Sequence, residues 1–382
     1  MTVSLPLPAE PGELTSAWLT AALRASGALA RGAVAAVDRA IIGEERGFTG
    51  VVARLRPRYA GADPAAPASL IAKLPTAARG APSAYREAQE RDPAAARQHY
   101  ERCAREVAFY RELAPRGPAP APRLYYGAAD DATGRVALLL EDVGDARPGD
   151  ALRGCSPEEA LRVVEAIAPF HARWWARPLS DLFPWLPWRD TEHQARQERY
   201  ARQVAPFLAR HGARLPPAVR DLVERLGSRY AAVLAALDRA PATVVHADLH
   251  LDNVLFPPPG AAPPAVVLDW QGVAIGAAAT DVAAFVCGAL DVAERRATED
   301  EIVRRYHALL LEHGVAGYPL ARLRDDCRLA LLRQLAGVVG WLAAADPARL
   351  AGRERALIEA ALGDGRLMAA LLDHDAAAVL PG

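Results

Sequence analysis

The sequence predicts an α+β fold of two lobes, a small N-terminal lobe with an antiparallel sheet and one internal helix, and a larger, mostly helical C-terminal lobe. Short β-favouring runs separated by Gly- and Pro-bearing turns dominate the chain up to Glu141. From Ser156 onward the apolar residues recur at helical spacing instead. The Gly/Asp/Pro loop between these patterns predicts a boundary that divides the chain into residues 1–141 and 142–382.

The elements of the N-terminal lobe follow from local patterns. Apolar residues at helical spacing over Gly12–Ser26 predict an opening amphipathic helix. Three strands are predicted at Val34–Ile42, Phe48–Arg56 and Ala68–Leu74, a helix at Arg86–Leu113, and a hairpin that joins Arg123–Gly127 to Arg135–Glu141. Five strands with one helix between the third and fourth are therefore expected.

Capping signals and periodicity place the helices of the C-terminal lobe. Ser156-Pro157-Glu158-Glu159 reads as a capping box with proline at the first helical position. Helical patterns return at Glu192–His211 and Ala218–Leu237, and three more helices are expected to close the chain, the first capped by Thr298 with Glu301. Between them, the apolar tripeptides Val254–Phe256 and Val266–Leu268 predict a β-ribbon.

Composition excludes several classes of protein. A net charge of −1 offers no general attraction for nucleic acid or anionic membranes. The N-terminus lacks a basic region followed by an apolar run, and no uninterrupted apolar stretch is long enough for a membrane span. The four cysteines have no CxxC spacing, which favours reduced thiols in a cytoplasmic protein. No feature indicates a particular oligomeric state.

Two residue types occur once each. Lys73 is the single lysine among 45 Lys and Arg residues, and Asn253 is the only asparagine of the 382 residues. A chain that uses Arg wherever Lys and Arg are interchangeable is expected to keep a lysine where only a compact ammonium is suitable. We therefore interpret Lys73 and Asn253 as positions at which the chemistry does not allow a substitute.

Lys73 lies in an otherwise apolar strand, SLIAKL, and Glu106 shares an apolar helix face with Cys103, Val107 and Tyr110. A buried lysine or carboxylate needs a partner of opposite charge. The sequence therefore predicts a Lys73–Glu106 pair that aims the ammonium at a phosphate. The alternative is an exposed Lys73, with Glu106 paired to an arginine.

The segment VVHADLHLDNVLF and the following VVLDWQG carry three further candidates. Asp248 is placed in a loop where it could accept a proton from a substrate hydroxyl, while Asn253 and Asp269 offer oxygen ligands for Mg²⁺. Phosphoryl transfer needs little beyond such positioning and charge neutralisation. The alternative is that these residues only form turns, as Asp and Asn commonly do.

These residues carry a resemblance. HADLHLDNVLF followed by LDWQ resembles the H-x-D-x-x-x-x-N and D-x-x signature of the aminoglycoside phosphotransferase and choline kinase superfamily. The pieces LLLEDVG (Leu138–Gly144) and FHARWW (Phe170–Trp175), with the tryptophan of LDWQG, resemble its ecdysteroid-kinase-like branch. The likeness runs from about Ile41 to Phe285 with the motifs in the same order.

The resemblance implies a protein-kinase-like fold and a small-molecule kinase that uses ATP or GTP with Mg²⁺. Asp248 would be the catalytic base, Asn253 and Asp269 the metal ligands, and Lys73, held by Glu106, the contact to the α- and β-phosphates. The remaining implied roles are adenine binding by backbone groups of Glu141 and Val143, phosphate cover by Gly47 and Gly50, and structural support by His246 and Asp281.

Departures from the kinase pattern narrow the prediction. Ala247 stands where many protein kinases have an arginine that reads a phosphorylated activation loop, and Trp270-Gln271 replaces Phe-Gly. Ala247 argues against regulation by a phosphorylated activation loop, and Trp270-Gln271 argues against a protein kinase. The glycines from Gly43 to Gly50 do not follow G-x-G-x-x-G spacing, and no GxxxxGK[ST] motif exists.

Two other functions could use the same residues. His246, Asp248, His250 and Asp252 alternate as ligands of a metal-dependent hydrolase sometimes do, but this reading leaves Lys73 and Asn253 unexplained. A nucleotide-binding pseudokinase is disfavoured because the set of Lys, Glu, Asp, Asn and Asp is complete.

The acceptor is predicted from aromatic residues and charge. Trp185 and Trp188 lie in a Pro-rich loop and are pocket candidates, as is Trp174, for which a place in the core is the alternative. Twelve arginines against seven acids between Arg173 and Arg239 disfavour a polycationic acceptor. We expect a neutral or anionic, partly apolar alcohol of sterol, polyketide or glycoside type, the alternative being an antibiotic-inactivating phosphotransferase for macrolides or aminoglycosides.

Overall fold

The structure, a computed structural model, describes residues 5–43, 50–61, 64–75, 92–345, 352–362 and 365–381. The chain forms two compact units. We call the first, residues 1–117, 121–146 and 269–272, the sheet unit, and the second, residues 118–120, 147–268 and 273–382, the helical unit. The short segment Asp269–Gly272 thus packs with the sheet unit although its neighbours in the chain belong to the helical unit, which a single boundary near Glu141 does not anticipate.

The sheet unit contains five antiparallel strands in the order β1-β2-β3-β5-β4. Their bounds are Ala33–Ile42 (β1), Val51–Ala60 (β2), Leu70–Leu74 (β3), Leu124–Asp130 (β4) and Arg135–Glu141 (β5). The predicted strands are confirmed in number and place, apart from Phe48, which lies outside the described residues. Leu70, Ala72 and Leu74 of β3 are buried, so Lys73 occupies the opposite face of that strand.

Among the described residues, two α-helices pack on this sheet. Helix α1, Ser16–Ala25, is capped by Thr15, whose side chain accepts the N–H of Trp18, and its apolar face joins the core formed by the strands. Helix α2, Pro93–Ala108, starts with Asp92 as its cap and continues as a wider π-helical turn over Phe109–Leu113. The predicted start at Arg86 lies outside the described residues.

The helical unit contains ten helices within its described residues. Their bounds are Pro157–Trp174 (α3), Leu179–Leu182 (α4), His193–His211 (α5), Pro217–Leu226 (α6), Tyr230–Leu237 (α7), Ala279–Ala289 (α8), Val292–Glu312 (α9), Leu320–Ala344 (α10), Gly352–Ala361 (α11) and Arg366–Asp373 (α12). The capping box at Ser156 is confirmed, with reciprocal bonds between Ser156 and Glu159. Helices α5, α6, α7, α10 and α12 contribute to one large apolar core.

Three helix predictions were wrong in detail. Five helices, α8 to α12, close the described part of the chain where three were expected, because two short helices follow α10 and α8 precedes α9. The segment predicted as one helix over Ala218–Leu237 divides into α6 and α7, because the Gly227 N–H bonds to Glu224 and the chain leaves helical geometry at Arg229. The helix predicted to begin at Thr298 begins at Val292, where Asp291 accepts the N–H of Ala293. Thr298 lies inside that helix and its hydroxyl donates to the carbonyl of Glu294.

Short strands hold the loops of the helical unit. Strands β6 (Arg147–Pro148), β8 (Val254–Phe256) and β9 (Val266–Val267) form one small sheet, and β7 (Ala242–Val245) pairs with β10 (Ala274–Ala277) in another. The predicted ribbon is confirmed, with Val254 opposite Val267 and Leu255 opposite Val266. These pairings fix both ends of the polar segment that follows β7.

Helix α10 is 25 residues long and, by length and composition alone, could cross a membrane, a test that core helices of soluble proteins also pass. Many of its residues, including Leu332, Leu335 and Val339, are buried in the core of the helical unit. The expectation of no membrane-spanning segment stays a prediction. The predicted fold class itself is confirmed, since an antiparallel sheet unit is followed by a mostly helical one.

Candidate active site

Lys73 and Glu106 form the predicted ion pair. The Lys73 Nζ lies 2.7 Å from Glu106 Oε2, and the side chains are only 12% and 1% exposed. Strand β3 presents the lysine on the face that α2 covers, so the alternative of an exposed Lys73 is wrong. The same ammonium also lies 2.7 Å from Asp269 Oδ1, a contact that the sequence did not predict.

The backbone around Asp269 explains how its carboxylate reaches Lys73. Asp269 has a φ of +61°, a conformation that L-residues rarely adopt, and the next side chain, Trp270, is fully buried. The Trp270 ring stacks on Phe109 with a centroid distance of 4.0 Å and an interplanar angle of 9°. The π-helical turn after α2 therefore anchors the segment that carries Asp269.

Burial and pairing shift the pKa values of this group in opposing ways. Burial alone would lower the pKa of Lys73, but the carboxylates of Asp269 and Glu106 outweigh it and hold the pKa above its ordinary value. Burial raises the pKa of Glu106, and the Lys73 ammonium opposes that rise. Lys73 consequently remains a cation across the physiological range, as a phosphate-binding role requires.

The predicted adenine-binding residues lie on a segment that one side chain fixes. Asp142, between Glu141 and Val143, accepts from Arg54 Nε at 2.7 Å and from the Ser69 hydroxyl at 2.5 Å. The N–H of Glu141 donates to the carbonyl of Arg123. Sequence reasoning missed Asp142, although an acid between two predicted binding residues was the available signal.

Gly50 has a structural reason to be glycine. A Cβ at this position would lie 2.3 Å from the Pro75 Cα and 2.7 Å from the Leu74 carbonyl oxygen, so only glycine allows the backbones at the ends of β2 and β3 to approach. Gly47, the other predicted phosphate-covering glycine, lies outside the described residues. A phosphate-covering role for either glycine stays a prediction.

In the helical unit, Asp281 holds the backbone of the loop after β7. Its two carboxylate oxygens accept the N–H groups of His246, at 2.6 Å, and Ala247, at 2.9 Å. Asp281 is only 1% exposed, and although burial opposes it, hydrogen bonding and charge from His171 keep its pKa below the ordinary range. The expected bracing contact is thus present. Ala247 has a φ of +71°, so these bonds stabilise a backbone conformation unfavourable for alanine.

Both nitrogens of the His246 ring form hydrogen bonds within the protein. Its Nε2 donates to the Leu268 carbonyl at 2.8 Å, and its Nδ1 accepts the N–H of Asp248 at 3.2 Å. This pairing requires the neutral tautomer protonated on Nε2. Both nitrogens are occupied, which suits the predicted structural role and leaves His246 unsuited to metal binding.

Asp248 and Asn253 are oriented by the same loop. The Asp248 side chain is 53% exposed, while its carbonyl accepts from Asn253 Nδ2 at 3.0 Å. The amide nitrogen of the nearly buried Asn253 also lies 3.1 Å from His250 Nε2. The loop therefore presents a carboxylate to solvent and turns the nitrogen of the asparagine inward.

The geometry does not favour the hydrolase alternative. Asp252 binds Arg353 at 2.6 Å and the N–H of Ala151 at 2.8 Å, and His246 is occupied as described. Within the described ranges, the one group of side chains spaced as metal ligands is elsewhere, at Cys287, Glu299 and His374. The four alternating residues of the loop do not converge on a common point.

A hollow of about 320 Å³ opens beside Asp248 in the helical unit. Arg189, Gln334 and Trp341 line it, together with small residues of α8 and α10. The three predicted pocket tryptophans do not: Trp174 is buried against Phe183, Trp185 packs edge-on against the same ring, and Trp188 borders a separate hollow with Asp190 and His193. Sequence reasoning missed Arg189, which follows Trp188 directly in the chain.

Residues 66–318 match the sequence profile of the phosphotransferase enzyme family. The match covers both the lysine strand and the loop with Asp248, Asn253 and Asp269. The chain belongs to this family. The predicted superfamily and the predicted class of enzyme are therefore confirmed, whereas the ecdysteroid-kinase-like branch stays a prediction.

Individual relatives of this phosphotransferase are distant. An uncharacterized kinase-like protein of Caenorhabditis elegans is 25% identical over 236 residues, which covers 59% of this chain and 61% of that protein. An aminoglycoside phosphotransferase solved with GDP and kanamycin has a TM-score of 0.53 at 14% identity, covering 90% of this chain and 94% of its own. Choline kinase of Cryptosporidium parvum has a TM-score of 0.51 at 10% identity, with 90% and 92% covered. Both similarities show that this chain shares its fold with these two proteins.

Proposed function

We propose that this phosphotransferase transfers the γ-phosphoryl group of ATP or GTP to a hydroxyl of a partly apolar small molecule. Asp248 accepts the proton of the acceptor hydroxyl, and the acceptor oxygen forms a bond to the γ-phosphorus. The bond from that phosphorus to the β–γ bridging oxygen breaks, and the nucleoside diphosphate leaves with the bond's electrons. The geometry of Asp248 supports this role because its carboxylate is exposed beside a hollow while its backbone is fixed.

The nucleotide is proposed to bind through the sheet unit. Lys73, held as a cation by Glu106, binds the α- and β-phosphates, and backbone groups of Glu141 and Val143 contact the base. The fixed position of Asp142 supports this proposal, because it keeps the intervening backbone in one conformation. The GDP in the related aminoglycoside phosphotransferase supports a nucleotide co-substrate for this chain.

The donor set suits Mg²⁺. Asp269 provides a carboxylate and Asn253 an amide whose nitrogen is already bonded within the protein, and hard oxygen donors of this kind are those that Mg²⁺ prefers. When bound, the ion would neutralise charge on the phosphates. Lys73 holds the Asp269 carboxylate in place, and the hydrogen bonds from Asn253 to Asp248 and His250 orient the amide.

The observation that carries the proposal is the fixation of the Asp248 loop. Two N–H groups bind Asp281 and a third binds the His246 ring, so the position of an exposed carboxylate is set in advance. Preorganisation of this kind is how phosphotransferases gain most of their rate, because the protein contributes positioning more than covalent chemistry.

A nucleotide-consumption screen tests the proposal. The purified chain is incubated with Mg²⁺ and ATP or GTP against a library of sterol, polyketide, glycoside, macrolide and aminoglycoside alcohols, with Asp248→Asn as the blank. Phosphorylated products that appear only with the wild type, identified by mass spectrometry, support it. Consumption that is equal in the blank, or tight stoichiometric zinc in the purified protein, would contradict it.

A further inference from the structure

A partly buried cation, Arg189, lines the hollow beside Asp248. The Arg189 side chain lies on β10, where a Cβ at Gly276 would contact its Cβ and Cδ at 3.4 and 3.6 Å. Its Nε is buried and has no hydrogen-bond partner among the residues that the structure describes. Arg189 lines the hollow, and a guanidinium with an unpartnered nitrogen is costly, so an anion bound against this side chain would offset part of that cost.

The surrounding charges leave this cation incompletely balanced. Burial and the neighbouring Arg333 lower the pKa of Arg189 to about 10, against the opposing effect of Asp190, Asp281 and Asp248. Asp190 is already bound by Arg333, whose Nε lies 2.7 and 2.9 Å from its two oxygens. Asp281 is engaged with the loop backbone.

The rest of the hollow offers room and one neutral polar group. A Cβ at Gly288 or Gly337 would meet nothing within 4 Å, so these positions border open space. Trp341, 40% exposed, supplies an apolar wall, and the side-chain oxygen Oε1 of Gln334 is buried without a partner among the described residues. A volume of about 320 Å³ suits a compact molecule with a ring and a few polar substituents.

We propose that the acceptor is a hydroxy compound with a carboxylate, which the Arg189 guanidinium binds while the hydroxyl faces Asp248. This inference rests on the proposed function and specifies the acceptor's charge. A carboxylate would give the Arg189 guanidinium a charged hydrogen-bond acceptor. A cationic amine at the same place would be repelled by Arg189 and Arg333.

Three compounds with the same ring and acceptor hydroxyl test the charge. They are 3-(hydroxymethyl)benzoate, its primary amide, and 3-(hydroxymethyl)benzylamine, which carry a negative, neutral and positive substituent. Binding is measured by isothermal titration, and transfer from Mg-ATP or Mg-GTP by mass spectrometry. The carboxylate is expected to bind about 10- to 100-fold more tightly than the amide, as a charge-assisted bond in a partly buried site would produce.

Variants of Arg189 test whether this residue causes the preference for the carboxylate. Arg189→Met should remove the preference for the carboxylate over the amide, and Arg189→Lys should restore part of it because the charge is kept. Arg199→Met, which removes an exposed arginine of α5 outside the hollow, is the matched control and should retain the full preference. A change in the affinity ratio of carboxylate to amide is not expected from a merely destabilised protein.

The outcomes separate this inference from the proposed function. The inference is overturned if the carboxylate compound binds no more tightly than its amide. It is also overturned if Arg189→Met keeps the full preference for the carboxylate over the amide. Phosphorylation of the amide or the amine in preference to the carboxylate also overturns it, yet leaves phosphotransfer to a small alcohol intact. Selective, Arg189-dependent binding of the carboxylate supports the inference even if no phosphorylation follows, in which case the proposed function fails instead.

Discussion

The ammonium of Lys73 lies 2.7 Å from Asp269 Oδ1, although 196 positions separate the two residues in the sequence. Glu106 contacts the same ammonium at an equal distance, so one lysine joins β3, α2 and the segment after β9. The group ties the predicted phosphate-binding cation to the predicted metal-binding carboxylate. Any change in the size of the cation should therefore affect both functions.

Lys73→Arg should lower kcat/KM by at least about 100-fold although the charge is kept, because a guanidinium is larger and cannot contact both carboxylates as a point charge. Steady-state kinetics with Mg-ATP or Mg-GTP measure the loss. Arg97→Lys is the matched control: it alters an exposed pair with Glu101 and should leave the rate unchanged. A fully active Lys73→Arg enzyme would rule out the argument from the single lysine.

Asp248→Asn should lower kcat by about 10²–10⁴-fold while nucleotide affinity is largely retained, because only the proton acceptor is removed. Single-turnover kinetics and nucleotide titration separate the two effects. Asp221→Asn, which changes an exposed carboxylate of α6, is the control. Equal kcat in wild type and Asp248→Asn would remove Asp248 from the role of general base.

Asp281→Asn should cost about 1–3 kcal/mol of unfolding free energy, because an amide cannot accept both loop N–H groups through equivalent oxygens. The carboxyl pKa is depressed in the folded protein, so its charged form stabilises the fold above the ordinary value of 3.8. That contribution is lost as the pH falls below 3.8 through the folded-state pKa.

Denaturant unfolding of both proteins at pH 7 and at several pH values below 4 checks this sign. The difference in unfolding free energy should be constant near neutrality and shrink in acid. The difference between wild type and Asp221→Asn should stay within about 0.5 kcal/mol at pH 7. If the difference in unfolding free energy between wild type and Asp281→Asn instead grew as the pH fell, the assigned direction of the pKa shift would be wrong.

Gly50→Ala should destabilise the protein by about 1–3 kcal/mol, since the added methyl would overlap the backbone of Leu74 and Pro75. Thermal unfolding measures the change. Gly337→Ala, where a Cβ meets nothing within 4 Å, is the control and should be neutral or stabilising by up to about 1 kcal/mol. An unchanged melting temperature with a raised KM for nucleotide would instead assign Gly50 to phosphate contact alone.

Local patterns predicted much of this protein. Three predictions depended only on neighbours in the sequence and agree with the structure. They are the capping box at Ser156, the strand that carries Lys73 and the paired tripeptides after Asn253. The Lys73–Glu106 pair was also predictable, because two ionisable side chains on apolar faces each required a partner.

Other features were decided by tertiary packing. Arg189 is one of 45 basic residues and has no local signal, since its importance comes from burial beside residues of α8 and α10. Trp174, predicted for the pocket, lies in the core against Phe183, because apolar rings suit a core as well as a binding site, whereas Trp188 borders a separate hollow. The Asp269 contact depends on a left-handed backbone and a ring stack with Phe109, neither of which periodicity encodes.

The sequence by itself determined the family, the fold class and the residue types available for phosphotransfer, because these are fixed by spacing within short motifs. The tertiary structure decided which carboxylate Lys73 contacts besides Glu106, how Asp281 holds the loop of Asp248, and which cation lies in the hollow beside it. Such contacts join residues far apart in the chain, and their energies depend on burial that only the folded protein creates.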